Sequence, residues 1–236
     1  MTADGWTRTV RNRLGLGRLL PLGGPRDGAW ISEEAAAAAL RRAMGELRGV
    51  RLDALRIALA DPRDTDEPVV PPPPSALPPG PLRVTVDFVA SPAEPLPETA
   101  ARVRTTLADA ATRLLGLTVS EVDLRITSLL EEEPQPAPLP PPEPPRAGEP
   151  AAGEETRAVS AALSVPGVDR LTAVLGRAVH IEERHREGAL PRRHARVEIA
   201  VRADHRAVEV AREVRAVVAE ALPDHPTVAV LVTAIV

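Results

Sequence analysis

Val122-Asp123-Leu124-Arg125-Ile126-Thr127-Ser128-Leu129-Leu130 aligns without a gap on Val228-Ala229-Val230-Leu231-Val232-Thr233-Ala234-Ile235-Val236. Five of the nine pairs are aliphatic on both sides and a sixth is Thr over Thr, so the two segments read as the closing strand of one small unit used twice. The residues ahead of each strand repeat as well. Ala100, Val103, Leu107, Ala110, Ala111 and Leu114 fall at helical spacing before the first, and Ala207, Val210, Ala211, Val214, Val217, Val218 and Ala221 before the second. In front of these helices Leu82, Val84, Val86 and Phe88 alternate with Arg83, Thr85 and Asp87, as Val197, Ile199 and Val201 alternate with Arg196, Glu198 and Ala200.

The first unit, 32–130, opens on Ser32 followed by Glu33 and Glu34, an N-cap with acids in the first turn, and runs as a helix to near Gly49. Leu52, Leu55, Ile57 and Leu59 then mark a strand, and the loop 61–81 holds nine prolines, which bar it from a central strand or helix. The second unit, 155–236, has a short helix, a break at Val165-Pro166-Gly167-Val168, and a strand around Ala178 to Glu182. A loop bearing Arg192, Arg193 and His194 follows, ahead of the alternating strand. Between the units, 131–154 is a linker in which nine of the seventeen residues from Pro134 to Pro150 are proline. Such composition favours polyproline II, which at about 3.1 Å per residue spans roughly 50 Å when extended. The expected fold class is α+β: two tandem α-β-β-α-β units with small three-stranded sheets, joined by this linker and preceded by a basic amphipathic segment, 1–31.

Composition removes whole classes of chemistry. The 236 residues include neither Lys nor Cys, and all 29 basic residues are Arg. A phosphate loop dependent on Lys, a Schiff-base Lys, a Cys nucleophile, a thiolate zinc site and a disulfide framework are therefore impossible. No Gly-x-Ser-x-Gly turn and no persuasive grouping of nucleophile, base and acid occurs, so no catalytic residue and no cofactor is expected. With two Trp, one Phe and no Tyr, the cores must be built from aliphatic side chains. The formal charge of −4 gives no reason to expect a polyanionic partner. No run is long and apolar enough to span a bilayer, and Arg18 interrupts the N-terminal apolar stretch with no small-residue cleavage site after it; a cytoplasmic location is expected.

The second unit resembles the alkaline-shock-protein family of bacterial envelope-stress proteins. The resemblance rests on the Val165-Pro166-Gly167-Val168 turn after a short helix, the Arg196 to Arg202 strand, the helix rich in Val and Glu at 205–222 and the aliphatic last strand, and it covers 155–236. It implies a non-enzymatic scaffold linked to the envelope-stress response and acting at the inner face of the membrane. The partners it implies are a membrane-anchored protein and related shock proteins, with self-association.

Residues 5–22 are the candidate contact segment for a membrane or a protein partner. Trp6, Leu14, Leu19 and Leu20 accompany Arg8, Arg11, Arg13 and Arg18, with no acid between Asp4 and Asp27. Basic residues at an anionic surface contribute about 1 kcal/mol each, so such binding would need avidity or a protein partner. The five His, at 180, 185, 194, 205 and 225, lie in the second unit near Glu182, Glu183 and Glu187, but their spacing is not that of a metal site and they read as solvated. The alternative reading is a nucleic-acid-binding adaptor, since the order α-β-β-α-β resembles a KH-type module. Neither unit has that module's Gly-x-x-Gly loop, and neither has stacking aromatics on its strands.

Overall fold

The computed structural model describes residues 17–130, 144–148, 153–184 and 191–236. The chain enters through two short strands, β1 (Leu19–Pro21) and β2 (Ala29–Ser32). Ser32 caps α1 (Glu33–Met44): its Oγ accepts the Ala35 N–H at 3.1 Å, and Glu33 and Glu34 sit where the helix dipole favours acids. β3 (Val50–Leu59) and β4 (Leu82–Ala90) flank the proline-rich loop. α2 (Leu96–Asp109) runs into a six-residue π-helical segment (Ala110–Leu115), and β5 (Val119–Leu129) follows. The second half contributes α3 (Glu154–Leu163), β6 (Val168–Leu171), β7 (Val179–Arg184), β8 (Arg192–Val201), α4 (Ala207–Ala221) and β9 (Thr227–Ile235).

The fold is α+β, but the sheets are unequal. β3-β4-β5 form a three-stranded sheet, whereas the other sheet has six strands in the order β1-β2-β9-β8-β6, with β7 also on β8. Two of the added strands come from residues expected to lie in the N-terminal amphipathic segment. β2 runs parallel to β9, with Ala29 opposite Val230 and Ile31 opposite Val232, and β1 pairs antiparallel with β2. Every residue of both strands is buried, so neither carries the alternation by which a half-buried strand is recognised. The sequence also put Arg192, Arg193 and His194 in a loop; they open β8 instead, because its pairing with β7 continues as far as Arg184 opposite Arg192.

The two halves match in strand direction and, from Val84/Val122 and Ala195/Val228 onward, in the register of their parallel ladders. β3 is antiparallel to β4 and β4 parallel to β5; likewise β6 and β7 are antiparallel to β8 and β8 is parallel to β9. Val86 faces Leu124 as Val197 faces Val230. Each parallel ladder slips just after Phe88/Ile126 or Ile199/Val232, leaving Thr127 and Thr233 as the extra residues of a bulge. The two threonines even make the same bond: Thr127 Oγ1 donates to the Phe88 carbonyl at 3.2 Å, and Thr233 Oγ1 to that of Ile199 at 3.3 Å. Gly49 and Gly167, at φ +71° and +93°, each lead into the following strand in a conformation that L side chains avoid. Their carbonyls accept from Ser91 and Arg202 at 2.7 and 2.8 Å. The halves differ most in the strand–loop–strand part, where Gly49 to Ser91 is seven residues longer than Gly167 to Arg202, and next at one helix, α2 having 14 residues plus the six-residue π segment against 15 in α4.

One apolar core runs through both halves. Leu40 of α1, Phe88 of β4, Leu107 of α2, Ile199 of β8, Val214 of α4 and Val230 of β9 all belong to it. Each such side chain contributes about 1.5–3 kcal/mol by leaving water. α1 packs on both β3 and β9 and so joins the two sheets. A smaller cluster of Leu19, Trp30, Val70, Ala229 and Leu231 lies on the opposite face of the six-stranded sheet, where the proline-rich loop crosses it. Trp30 Nε1 donates to the Leu77 carbonyl at 3.1 Å, and the Leu77 N–H to the Leu19 carbonyl at 2.8 Å. Residues 131–143 of the linker lie outside the described residues, but 144–148 rest on the second half, where Arg146 bridges to Thr172.

Candidate functional site

β9 and β5 occupy the same place in their halves and are used differently. β9 has β8 on one side and β2 on the other, whereas among the described residues β5 is an edge, paired with β4 only. Their inner faces differ too. Val228, Val230 and Val232 are buried, while Val122, Leu124 and Ile126 are half-buried. α1 and α4 both back β9, whereas β5 is backed by α2.

The outer face of the three-stranded sheet is a lattice of exposed charges. Arg83 lies 2.6 Å from Glu121 and 3.5 Å from Asp123, and Arg125 lies 3.9 Å from Asp87. Asp53 accepts the Thr127 hydroxyl at 2.9 Å and sits 3.5 Å from Arg51. Solvated pairs of this kind stabilise the fold little. With carboxylates interleaved among its arginines, the face lacks the continuous basic strip that phosphate backbones require. In β9 the positions of Asp123 and Arg125 are held by Ala229 and Leu231, which lie in the cluster with Trp30 and Val70. The aligned strands thus differ in polarity where one sheet is open and the other covered.

Glu198 stands at the register position that Asp87 holds in the first half, and its surroundings are the reverse. β3 is continuous, but its counterpart is broken into β6 and β7, and the connection between them folds over the sheet. Glu198 is fully buried there, accepting the N–H of Val174 at 2.7 Å and of Leu175 at 3.1 Å, with Arg196 Nη2 at 3.5 Å. Burial pushes its carboxyl up to about 7, against the pull of those bonds and of Arg196. His194, also buried, has Nδ1 2.9 Å from the Thr227 hydroxyl, and burial, with Arg184 nearby, pushes its imidazole down to about 4. The Glu198 carboxylate is occupied in tying the loop to the sheet.

Where the halves meet, a polar cleft of about 370 Å³ is lined by Gly23, Gly24, Gly116, Thr118, Arg206 and Arg212. Its arginines are engaged. Arg206 Nε donates to the Thr112 carbonyl at 3.2 Å, and Arg212 grips Asp27 through two bonds of 2.7 and 3.0 Å, which hold the Asp27 carboxyl below its usual range. The cleft is a clamp between the β1–β2 connection and α4.

Of the residues singled out in the sequence, Trp6, Arg8, Arg11, Arg13 and Leu14 lie outside the described residues. Arg18 pairs with Glu33 at 3.2 Å and donates to the Ile57 carbonyl at 2.9 Å, while Leu19 and Leu20 are buried in β1. Leu19 and Leu20 are thus packed inside the fold as part of the sheet, whereas Arg18, held by Glu33, keeps its side chain 47% exposed. Val165, Pro166, Gly167 and Val168 form the turn into β6, the Val168 N–H donating to the Val165 carbonyl at 3.2 Å. His180 lies 3.4 Å from Glu182, His205 2.7 Å from Asp204, and His225 bonds the Ala219 carbonyl at 3.2 Å; His185 is outside the described residues. The burial of His194 departs from the solvated reading. No group of three or more His, Asp or Glu spaced to hold a metal occurs among the described residues, and no helix among them is long and apolar enough to cross a membrane. The residues that sequence reasoning did not single out are Asp123, Leu124 and Arg125, whose signal is charge at the positions aligned with Ala229 and Leu231 in an otherwise matching strand.

No protein-family model matches the chain, and no curated protein matches it.

Proposed function

We propose that this protein is a non-catalytic interaction scaffold, built by using one α-β-β-α-β unit twice, with the second unit completing the fold and the first presenting a binding surface. The observation that carries this reading is the asymmetry between β9, enclosed on both edges, and β5, which among the described residues is open on one edge with a half-covered apolar face. An unpaired edge with apolar side chains behind it is a standard docking element for proteins. The resemblance of 155–236 to the alkaline-shock-protein family supplies the setting: an envelope-stress response at the inner face of the membrane, with a membrane-anchored partner and related shock proteins. In this reading Trp6, Arg8, Arg11, Arg13 and Leu14 attach the scaffold to that partner.

Affinity capture from the native cell tests the proposal, comparing the full chain with a form lacking residues 1–16. The truncation must stop there because Arg18 is already bonded to Glu33 and leads into β1. The expected result is that a membrane protein is captured by the full chain and lost on truncation. Identical capture by both forms would remove the attachment role, and steep loss of nucleic acid with rising salt would favour the adaptor reading instead.

A further inference from the structure

The geometry points to a specific occupant for the open edge: β5 of a second copy of the chain, paired antiparallel about a two-fold axis through Leu124. This rests on reading the first unit's sheet as the binding surface and names what binds there. The carrying observation is that β5 is self-complementary. Its ladder to β4 is unbroken from Glu121 to Ile126, so these residues hold regular strand geometry. With the axis on Leu124, Asp123 of each copy lies opposite Arg125 of the other, twice over on the outer face. On the inner face Val122 lies opposite Ile126, and the two Leu124 side chains meet at the axis. Residues directly opposite in an antiparallel pair share a face, so this register aligns apolar with apolar and charge with counter-charge.

Neighbouring registers fail. An axis on Asp123 sets that carboxylate against itself, and one on Arg125 sets guanidinium against guanidinium. Shifting the axis to Val122 places Glu121 against Asp123. Like charges directly opposite oppose pairing, and an axis on Ile126 sets Arg125 against Thr127 and Leu124 against Ser128 with no ion pair, so charge and apolar matching together favour the register centred on Leu124. The side chains are available: Asp123 and Arg125 are 61% and 78% exposed, and their existing partners Arg83 and Asp87 are 3.5 and 3.9 Å away, within loose surface pairs. β3, the other edge of the same sheet, is a poorer candidate, because a bulge at Asp53 interrupts its ladder. Pairing through β5 makes one continuous six-stranded sheet from two copies and covers the half-buried Val122, Leu124 and Ile126.

Sedimentation equilibrium of the full chain tests this with Asp123→Arg and Arg125→Asp. Each single change sets like charges opposite one another at two places, and is expected to weaken self-association by about tenfold or more. Mixing the two single variants restores it, since a chain with acids at both positions then faces one with arginines at both. The double variant, which exchanges the charges, recovers association to within a few-fold of the original. Thermal melts confirm that each variant is folded. A monomeric wild-type chain, or association that ignores these charges, overturns the inference. If the wild type is monomeric yet the variants lose a partner captured by the full chain, the binding surface stands and only its occupant is wrong; if no partner is captured either, the scaffold reading falls with it.

Discussion

Glu198 and His194 lie on one strand, two residues either side of Arg196, and burial acts on them with opposite sign. The folded state holds the Glu198 proton more tightly than the unfolded chain, with its carboxyl at about 7 against an ordinary 4.5. The stability this gives is complete below pH 4.5 and is lost as pH rises to 7. His194 is held neutral, at about 4 against an ordinary 6.5, so its contribution is complete above pH 6.5 and is lost as pH falls toward 4. Between pH 4.5 and 6.5 the two slopes cancel, and wild-type stability should be nearly level with respect to this pair. Separating them exposes each. In Glu198→Gln, stability should rise with pH from 4 to 6.5; in His194→Gln, it should fall from 4.5 to 7. Each change amounts to about 3 kcal/mol over its full window. Urea titrations at half-unit pH steps measure both, and parallel profiles for the three proteins would refute the opposition.

At the level of elements, sequence legibility follows how a segment is buried. The half-buried strands and amphipathic helices were readable from period alone: α4 and β4 lie where their alternation or stripe predicts, and Ser32 is the cap it looks like. β1 and β2 were not, because a strand of three or four residues buried on every side has no polar face to count against. The Thr-over-Thr pair was visible as a match, but its meaning as a bulge needed the partner strand. Likewise Arg196 and Glu198 have the spacing of an outward polar face, and only the loop from the β6–β7 break makes that face internal. The open edge of β5 was illegible for a related reason: it exists because β2 joins the distant β9 and nothing joins β5 among the described residues. β2 also offers a test of the proline-rich loop as a lid. Trp30 is buried between the sheet and that loop and is bonded to Leu77. Trp30→Ala should lower the unfolding free energy by about 3–5 kcal/mol and expose the loop 61–81 to limited proteolysis. A loss below about 1 kcal/mol with unchanged cleavage would mean that the loop is not anchored there.

For the whole molecule, the duplication yields a body whose second half is incomplete by itself. β9 takes its outer neighbour, β2, from the segment ahead of the first half, and α1 packs on its inner face. The seam is stitched by polar contacts as well. Ser32 Oγ lies 3.4 Å from the Thr233 carbonyl, Arg42 donates to that of Ile235 at 3.1 Å, and Arg212 closes on Asp27. Removing residues 1–143 would therefore uncover the edge of β9 together with Val230 and Val232, which are fully buried in the intact chain. An open edge beside a bare aliphatic face favours aggregation. The fragment 144–236 produced alone is accordingly expected to be insoluble or to unfold without cooperativity. Produced together with 1–143, it should copurify as a one-to-one complex, because the contacts between the halves do not depend on the covalent linker. Light scattering and denaturant melts of the fragment, with and without its complement, decide the matter. A monomeric 144–236 that unfolds cooperatively with the stability of the whole chain would show that β2 and α1 are dispensable to it, and that the shared core contributes far less than its continuity implies.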